Sequence, residues 1–297
     1  MSDLSETQVD RQQISTLNLS VIEKEIALLE EEKQLLLREY FERPLLDNIS
    51  FSSAANQLRS VYWAKRKEGK KSSRADAIKE KLLVASLLTE HYTLDDLIQS
   101  EEILQNLEKR VKVAYWASNR HSVVAYDRFS ALFEETQRAE AESFTHVCEQ
   151  VSGGDVDFGI LPIENSTDGR LVGFYRMLEK YELKICAVCN IEDDSGENFT
   201  RFALLSRVLC RLDSKRSRWI ELSATSSNAA RILELITVAE NLGMAVKRLS
   251  SIPLYYRGNA CVDTLTLAVS EETAFSFFVY LYLFGKDISI LGLFIQI

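Results

Sequence analysis

The chain has 297 residues, 46% of them apolar and 27% charged, with a formal net charge of −9 at pH 7. These globular averages exclude wholesale disorder, and the acidic balance argues against a nonspecific binder of nucleic acid. No run of about 18 apolar residues occurs, so no membrane-spanning helix is expected. The opening MSDLSETQVDRQQ lacks the basic and apolar regions of a secretory leader. Cys148, Cys186, Cys189, Cys210 and Cys261 are odd in number and without framework spacing, which suits reduced thiols in a cytoplasmic protein. Glycine and proline are sparse, which disfavours a large Gly-rich nucleotide site.

Residues 1–110 read as helix. Leu17, Val21, Ile22, Ile26, Leu29, Leu36 and Leu37 recur near the helical period, and Pro44 closes that stretch. A second helix is expected from Ala54 to Lys67, ending near Gly69. A third opens at Ser72 or Ser73 as cap, and a fourth runs from Leu94 to Arg110. Strand candidates then alternate with helices: Val111–Trp116, Val156–Pro162, Leu183–Val188 and Phe202–Leu205, with helices near Ser143–Val151 and Leu171–Lys180. That alternation predicts an α/β sandwich on a mostly parallel sheet. Beyond the polar break Arg211–Arg218 the order is strand Trp219–Ala224, helix Asn228–Leu242, strand Ala245–Pro253, strand Ala260–Val269, helix Glu272–Phe284 and strand Ile288–Ile295. This is a ferredoxin-like βαββαβ order, with Gly243 suited to the left-handed position that closes a helix.

Three local features could carry chemistry. In Pro162–Arg170 (PIENSTDGR) an apolar strand ends and delivers Glu164, Asn165, Ser166 and Thr167 just ahead of a helix. Open α/β sheets bind ligands at such edges, because free amides and a helix N-terminus face the crevice. Alternatively, Ser166, Thr167 or Asp168 caps the helix and nothing more. Asn198–Phe202 (NFTRF) opens another strand, where a threonine hydroxyl beside an arginine could donate a proton or hold a carboxylate; ordinary strand-edge composition is the competing reading. The basic stretch Lys65, Arg66, Lys67, Lys70, Lys71 and Arg74 could hold a dicarboxylate or phosphate, but a solvated helix–turn–helix corner is the favoured interpretation. Cys186 and Cys189 have CxxC spacing without a second pair, and strand alternation sends them to opposite faces, so no zinc site is expected. His91, His121 and His146 lack metal-ligand spacing, and no GxGxxG or Walker pattern occurs.

Taken together, FGILPIENSTDG (Phe158–Gly169), YRMLEKYELKI (Tyr175–Ile185) and NFTRF (Asn198–Phe202) resemble the prephenate dehydratase family, whose members are often fused to an N-terminal chorismate mutase and a C-terminal ACT regulatory domain. The resemblance covers about the last two-thirds of the chain. It implies a cofactor-free, metal-free conversion of prephenate to phenylpyruvate, carbon dioxide and water in phenylalanine biosynthesis. It places the family's essential threonine on Thr200 as general acid, with Arg201 and Phe202 completing the motif and Asn165 and Ser166 lining the substrate cleft. The implied architecture is multidomain, α and α/β. A helical domain in the mutase position (1–110) precedes a single prephenate-dehydratase-like α/β lobe (111–212) and an ACT-like regulatory domain (213–297).

The departures are specific. After Val111–Tyr115 the family's Gly-rich turn is replaced by Trp116–Ser122, and only the segment 166–199 separates Asn165 from Thr200, where the family carries a second lobe. The phenylalanine-binding elements fall on Ala230–Leu233 and Ser250–Pro253, so Ala230, Ile232, Ser250 and Pro253 occupy the effector positions, keeping only the proline and apolar character. Residues 17–39 hold Lys24, Lys33 and Arg38 without the arginine spacing of a mutase. The expectation is a lobe-deleted paralogue with lost or reduced catalysis and a binding or regulatory role; the alternative is an active dehydratase or a divergent mutase. Expected partners are a small dicarboxylate (prephenate or chorismate) or phenylalanine, and a second copy through the ACT-like domain, with no nucleic acid and no membrane.

Overall fold

A computed structural model describes residues 21–31, 35, 50–68, 73–96, 110–193, 195–210, 212, 218–225, 229–253 and 261–297. They fall into two compact units, 1–91 and 92–297.

The first unit is helical where described: residues 21–31, α1 (Phe51–Glu68) and α2 (Arg74–Thr89). Helix α1 buries Phe51, Ala54, Leu58 and Tyr62, a stripe at helical spacing. Ser73 caps α2, its Oγ accepting from the Asp76 amide at 3.2 Å, as the sequence predicted. In the basic corner Arg66 faces Glu80 at 3.4 Å and Lys79 faces Glu30 at 3.4 Å, in keeping with a solvated corner. Pro44, Gly69, Lys70, Lys71 and most of the expected fourth helix lie outside the described residues; at its start Leu94–Asp96 forms a 3-10 turn.

The second unit runs β1 (Val111–Trp116), α3 (Arg120–Ser130), β2 (Thr136–Ala141), α4 (Phe144–Gly153), β3 (Phe158–Asn165), β4 (Gly169–Arg170), α5 (Val172–Tyr181), β5 (Lys184–Glu192) and β6 (Phe199–Ser206). It continues with β7 (Arg218–Thr225), α6 (Ala229–Asn241), β8 (Ala245–Pro253), β9 (Cys261–Val269), α7 (Glu271–Phe284) and β10 (Ile288–Gln296). The expected βαββαβ order is present in the last six elements, and Gly243, at φ 75°, takes the left-handed conformation after α6. All described strands share one sheet, in the order β2-β1-β3-β6-β5-β10-β7-β9-β8, with β4 paired to β3.

The expectation of a mostly parallel sheet is corrected. Among the described strands only β1–β2, β1–β3 and β5–β10 are parallel; β5 turns directly into β6, and strands joined by a tight turn must run antiparallel. Helix α3 and strand β2 had no counterpart in the sequence reading. Strand β2 (TQRAEA) is an edge strand that buries only Ala139 and Ala141, too little for a strand signature. Helices α4 and α5 cover one face of the sheet, with Val147, Val151, Phe174, Leu178, Ala203 and Leu205 packed there. The core packed with α3 on the other face contains Tyr115, Phe129, Phe158, Phe202 and Leu204.

The expectation that Cys186 and Cys189 point to opposite faces is also corrected. The register shift between Ile185 and Ala187 breaks strand alternation and brings both thiols into the α3-side core. Burial pushes the Cys189 thiol up to about 12, which makes it inert as a nucleophile or ligand.

The β5–β6 turn is tied by Asp193, whose carboxylate accepts from Ser195 Oγ at 2.7 Å and Asn198 Nδ2 at 2.8 Å. Those bonds hold the carboxyl down at about 2. A depressed folded-state value stabilises the turn above the ordinary aspartate range and loses that effect as pH falls from about 4 to about 2. The stability deficit of Asp193→Ala, followed by urea unfolding, is therefore expected at pH 6 and should shrink away towards pH 2. An equal deficit at both pH values would refute the assignment.

Candidate functional site

Strands β3 and β6 bring the two sequence motifs side by side. Asn165 pairs directly with Thr200 and Glu164 with Arg201, so the PIEN and TRF segments are adjacent strand ends. Strand alternation then separates the members of NFTRF. Thr200 and Phe202 face α3, whereas Arg201 faces the opposite side.

On the α3 face, Thr200 Oγ1 lies 3.5 Å from Nδ1 of His121, in the first turn of α3. Phe202 is buried in the core beneath them. Asn165 Oδ1 accepts from the Thr167 amide at 3.0 Å and the Asp168 amide at 2.5 Å, and its Nδ2 donates to Asp168 Oδ2 at 2.9 Å. Ser166 Oγ donates to Asn198 Oδ1 at 3.1 Å and accepts from the Phe199 amide at 3.3 Å. These side chains close a turn and latch PIENST to NFTRF. They do not cap the following helix: α5 has Leu171 at its N-cap with no side-chain bond. Strand β4 intervenes, reached through Gly169 at φ 69° in the left-handed region.

The effector positions lie elsewhere. Ala230 sits at the start of α6 and Pro253 at the end of β8, both with side chains outside the description. Ile232 is buried in α6, and Ser250 in β8 presents its carbonyl to Thr264 Oγ1 at 3.5 Å.

On the face opposite Thr200, strands β3 to β10 line a cavity of about 310 Å³. Four cations line it, Arg170, Arg201, Lys247 and Arg248, against two carboxylates, Glu164 and Glu221. Glu221, almost fully buried, accepts from Arg170 Nη1 at 2.5 Å and from Tyr175 OH at 2.8 Å. Arg170 also donates to Tyr175 OH, to Thr264 Oγ1 at 2.8 Å and to Thr266 Oγ1 at 3.4 Å. Burial works to lower the Arg170 guanidinium, but Glu221 beside it prevails and holds it above its ordinary range. Burial, reinforced by the Glu221 charge, pushes the Tyr175 phenol well up, so it stays a neutral donor. Arg248 grips Glu164 through both nitrogens, with Nη1 at 2.7 Å and Nη2 at 3.1 Å from its oxygens.

Arg201 alone of the three arginines makes no hydrogen bond or ion pair among the described residues, and its buried Nε has no acceptor. Burial lowers its guanidinium below the ordinary range despite Glu221 and Glu164. Sequence reasoning missed Arg170, Tyr175, Glu221 and Arg248 as a group. The available signal was alternation: Ile220 and Leu222 bracket Glu221, and Leu265 and Leu267 bracket Thr266, which marks a polar sheet face.

Among the described residues, no group of three or more His, Cys, Asp or Glu side chains is placed to share a metal ion. No described helix is long and apolar enough to cross a membrane.

Residues 117–192 match the family model described as prephenate dehydratase. No curated protein matches the chain significantly. Among solved structures, the prephenate dehydratase of Streptococcus mutans aligns with a TM-score of 0.50 at 20% identity, over 63% of this chain and 98% of that one. GqqA, described as a novel type of quorum quenching acylase, aligns with a TM-score of 0.47 at 17% identity, over 62% of this chain and 94% of that one. The prephenate dehydratase of Staphylococcus aureus subsp. aureus Mu50 aligns at 0.47 and 12% identity, over 62% and 99%. At these identities the structural likeness is one of fold, and the family match is confined to one segment: over residues 117–192 this chain is similar to the prephenate dehydratase family.

Proposed function

We propose that the chain is a lobe-deleted member of the family, serving phenylalanine biosynthesis as a binding or regulatory protein with lost or reduced dehydratase catalysis. The observation that carries this reading is the use to which the family motifs are put. Asn165 and Ser166 are committed to the PIENST turn and its latch, and Phe202 to the core. Between Asn165 and Thr200 the described chain is β4, α5 and β5, all packed within the same unit. One wall of a cleft cannot exclude water or clamp a dicarboxylate, as a preorganised site must.

In this scheme residues 1–110 are the domain in the mutase position, 111–212 the remaining lobe, and 213–297 an ACT-like domain through which two copies pair. The outer edge of β8, unpaired among the described residues, supports such pairing. Phenylalanine binding at Ala230, Ile232, Ser250 and Pro253 is not part of the proposal, because Ile232 is turned into the core.

The test is turnover. Purified chain supplied with prephenate, with phenylpyruvate followed as product, should show no rate above the uncatalysed one, and Thr200→Ala should change nothing. Phenylpyruvate formation that disappears in Thr200→Ala would overturn the proposal. It would establish the second reading, an active dehydratase, which the Thr200–His121 approach favours: an imidazole beside the hydroxyl could hold the proton that the general acid donates. Prephenate formed from chorismate would instead place a mutase in residues 1–110.

A further inference from the structure

The cavity on the face opposite Thr200 has an electrostatic imbalance that the fold itself does not resolve. Its two carboxylates are each fully engaged, Glu221 by Arg170 and Tyr175, and Glu164 by Arg248. Arg201 and Lys247 are left over, and the buried Nε atoms of Arg201 and Arg170 both lack acceptors. Arg201 is half-buried, and a donor such as its Nε, shut away from water without an acceptor, is unfavourable unless a ligand completes it. The remaining wall is apolar, formed by Trp219, Phe294, Val188 and Ile163, and the volume of about 310 Å³ is at the small end of the range for small-molecule sites. Lys247 is exposed at the rim, with its Nζ 5.9 Å from the Trp219 ring, where a hydrated point charge attracts anions from solvent.

We infer that this cavity is a binding site for a small carboxylate with an apolar or aromatic body, its carboxylate on Arg201 and its body against Trp219 and Phe294. The site goes beyond the reading above and does not depend on it, since Thr200 and His121 lie on the other face of the sheet. The planar guanidinium of Arg201 can donate two parallel hydrogen bonds to one carboxylate, which a lysine could not do.

The test is calorimetric titration of the full chain with 3-phenylpropionate and with its uncharged analogue 3-phenylpropan-1-ol. Saturable binding of the acid is expected, about tenfold or more weakened in Arg201→Gln and unchanged in Arg138→Gln, which alters an exposed surface pair. The alcohol should bind far more weakly. Without ligand, Arg201→Met should unfold at a higher temperature than the wild type, since it removes a half-buried charge and its unpartnered Nε donor. No saturation at millimolar acid, equal binding in Arg201→Gln, equal binding of the alcohol, or a lowered melting temperature in Arg201→Met would each overturn the site. The turnover assay reads the Thr200 face alone, so the two proposals fail separately.

Discussion

Replacing Arg170 by methionine is expected to cost about 3–5 kcal/mol of stability. The guanidinium is mostly buried and serves Glu221, Tyr175, Thr264 and Thr266 together, so its loss strands the Glu221 carboxylate in a nearly dry site. The desolvation penalty of that carboxylate then stands uncompensated. A pair of this kind contributes little relative to an apolar pair, and far more when one partner alone is removed. The double variant Arg170→Met/Glu221→Leu should therefore recover most of the loss. Urea unfolding of wild type, both single variants and the double variant measures the coupling directly. A deficit below about 1 kcal/mol in Arg170→Met, the level of an exposed pair, would mean that water reaches the carboxylate.

The second large effect is at Gly292. A Cβ placed there would lie 2.4 Å from the Ile185 carbonyl oxygen, 2.6 Å from Ile185 Cβ and 2.9 Å from Ile185 Cα. Two of those atoms are backbone, so no side-chain rotation relieves the clash, and β10 must move away from β5. Gly292→Ala is expected to destabilise by about 3 kcal/mol or more, at the upper end for overpacking. The same change at Gly173, where no heavy atom lies within 4 Å of the added carbon, should stabilise by about 0.4–1 kcal/mol through the unfolded chain. Opposite shifts in denaturation midpoint for one chemical change at two glycines would establish the β5–β10 contact. Equal midpoints for Gly292→Ala and wild type would disprove it.

The sequence and the structure agree where periodicity was strong. Alternation within Trp219–Ala224 and the long apolar run of Glu272–Phe284 gave those elements to within a residue or two, and Ser73 and Gly243 announced their caps by chemistry. Agreement failed where an element is an edge or is placed by its partners. Strand β2 has few apolar residues because one side of it meets solvent, and β5 hides a bulge that no residue type marks. The motif strands β3 and β6 were both found, yet their division of labour was not. Which neighbour of Thr200 shares its face follows from pleat, while the buried ion pairs join residues far apart in the chain, such as Arg170 with Glu221 and Glu164 with Arg248. Glu221 sits between Ile220 and Leu222 and Glu164 between Ile163 and Asn165, and no local spacing records which arginine neutralises them.

The position of β10 has a bearing on how this protein comes to be folded at all. It follows every other described strand in chain order, yet it lies between β5 and β7 in the interior of the sheet. During synthesis, the edges of β5 and β7 that β10 will fill must wait open until β10 leaves the ribosome. Each edge is a template for another chain, and pairing at such sequence separation is slow. The nascent protein therefore passes through a stage in which two strands destined for the interior of the sheet are open edges, and capture of those edges by another chain competes with insertion of β10.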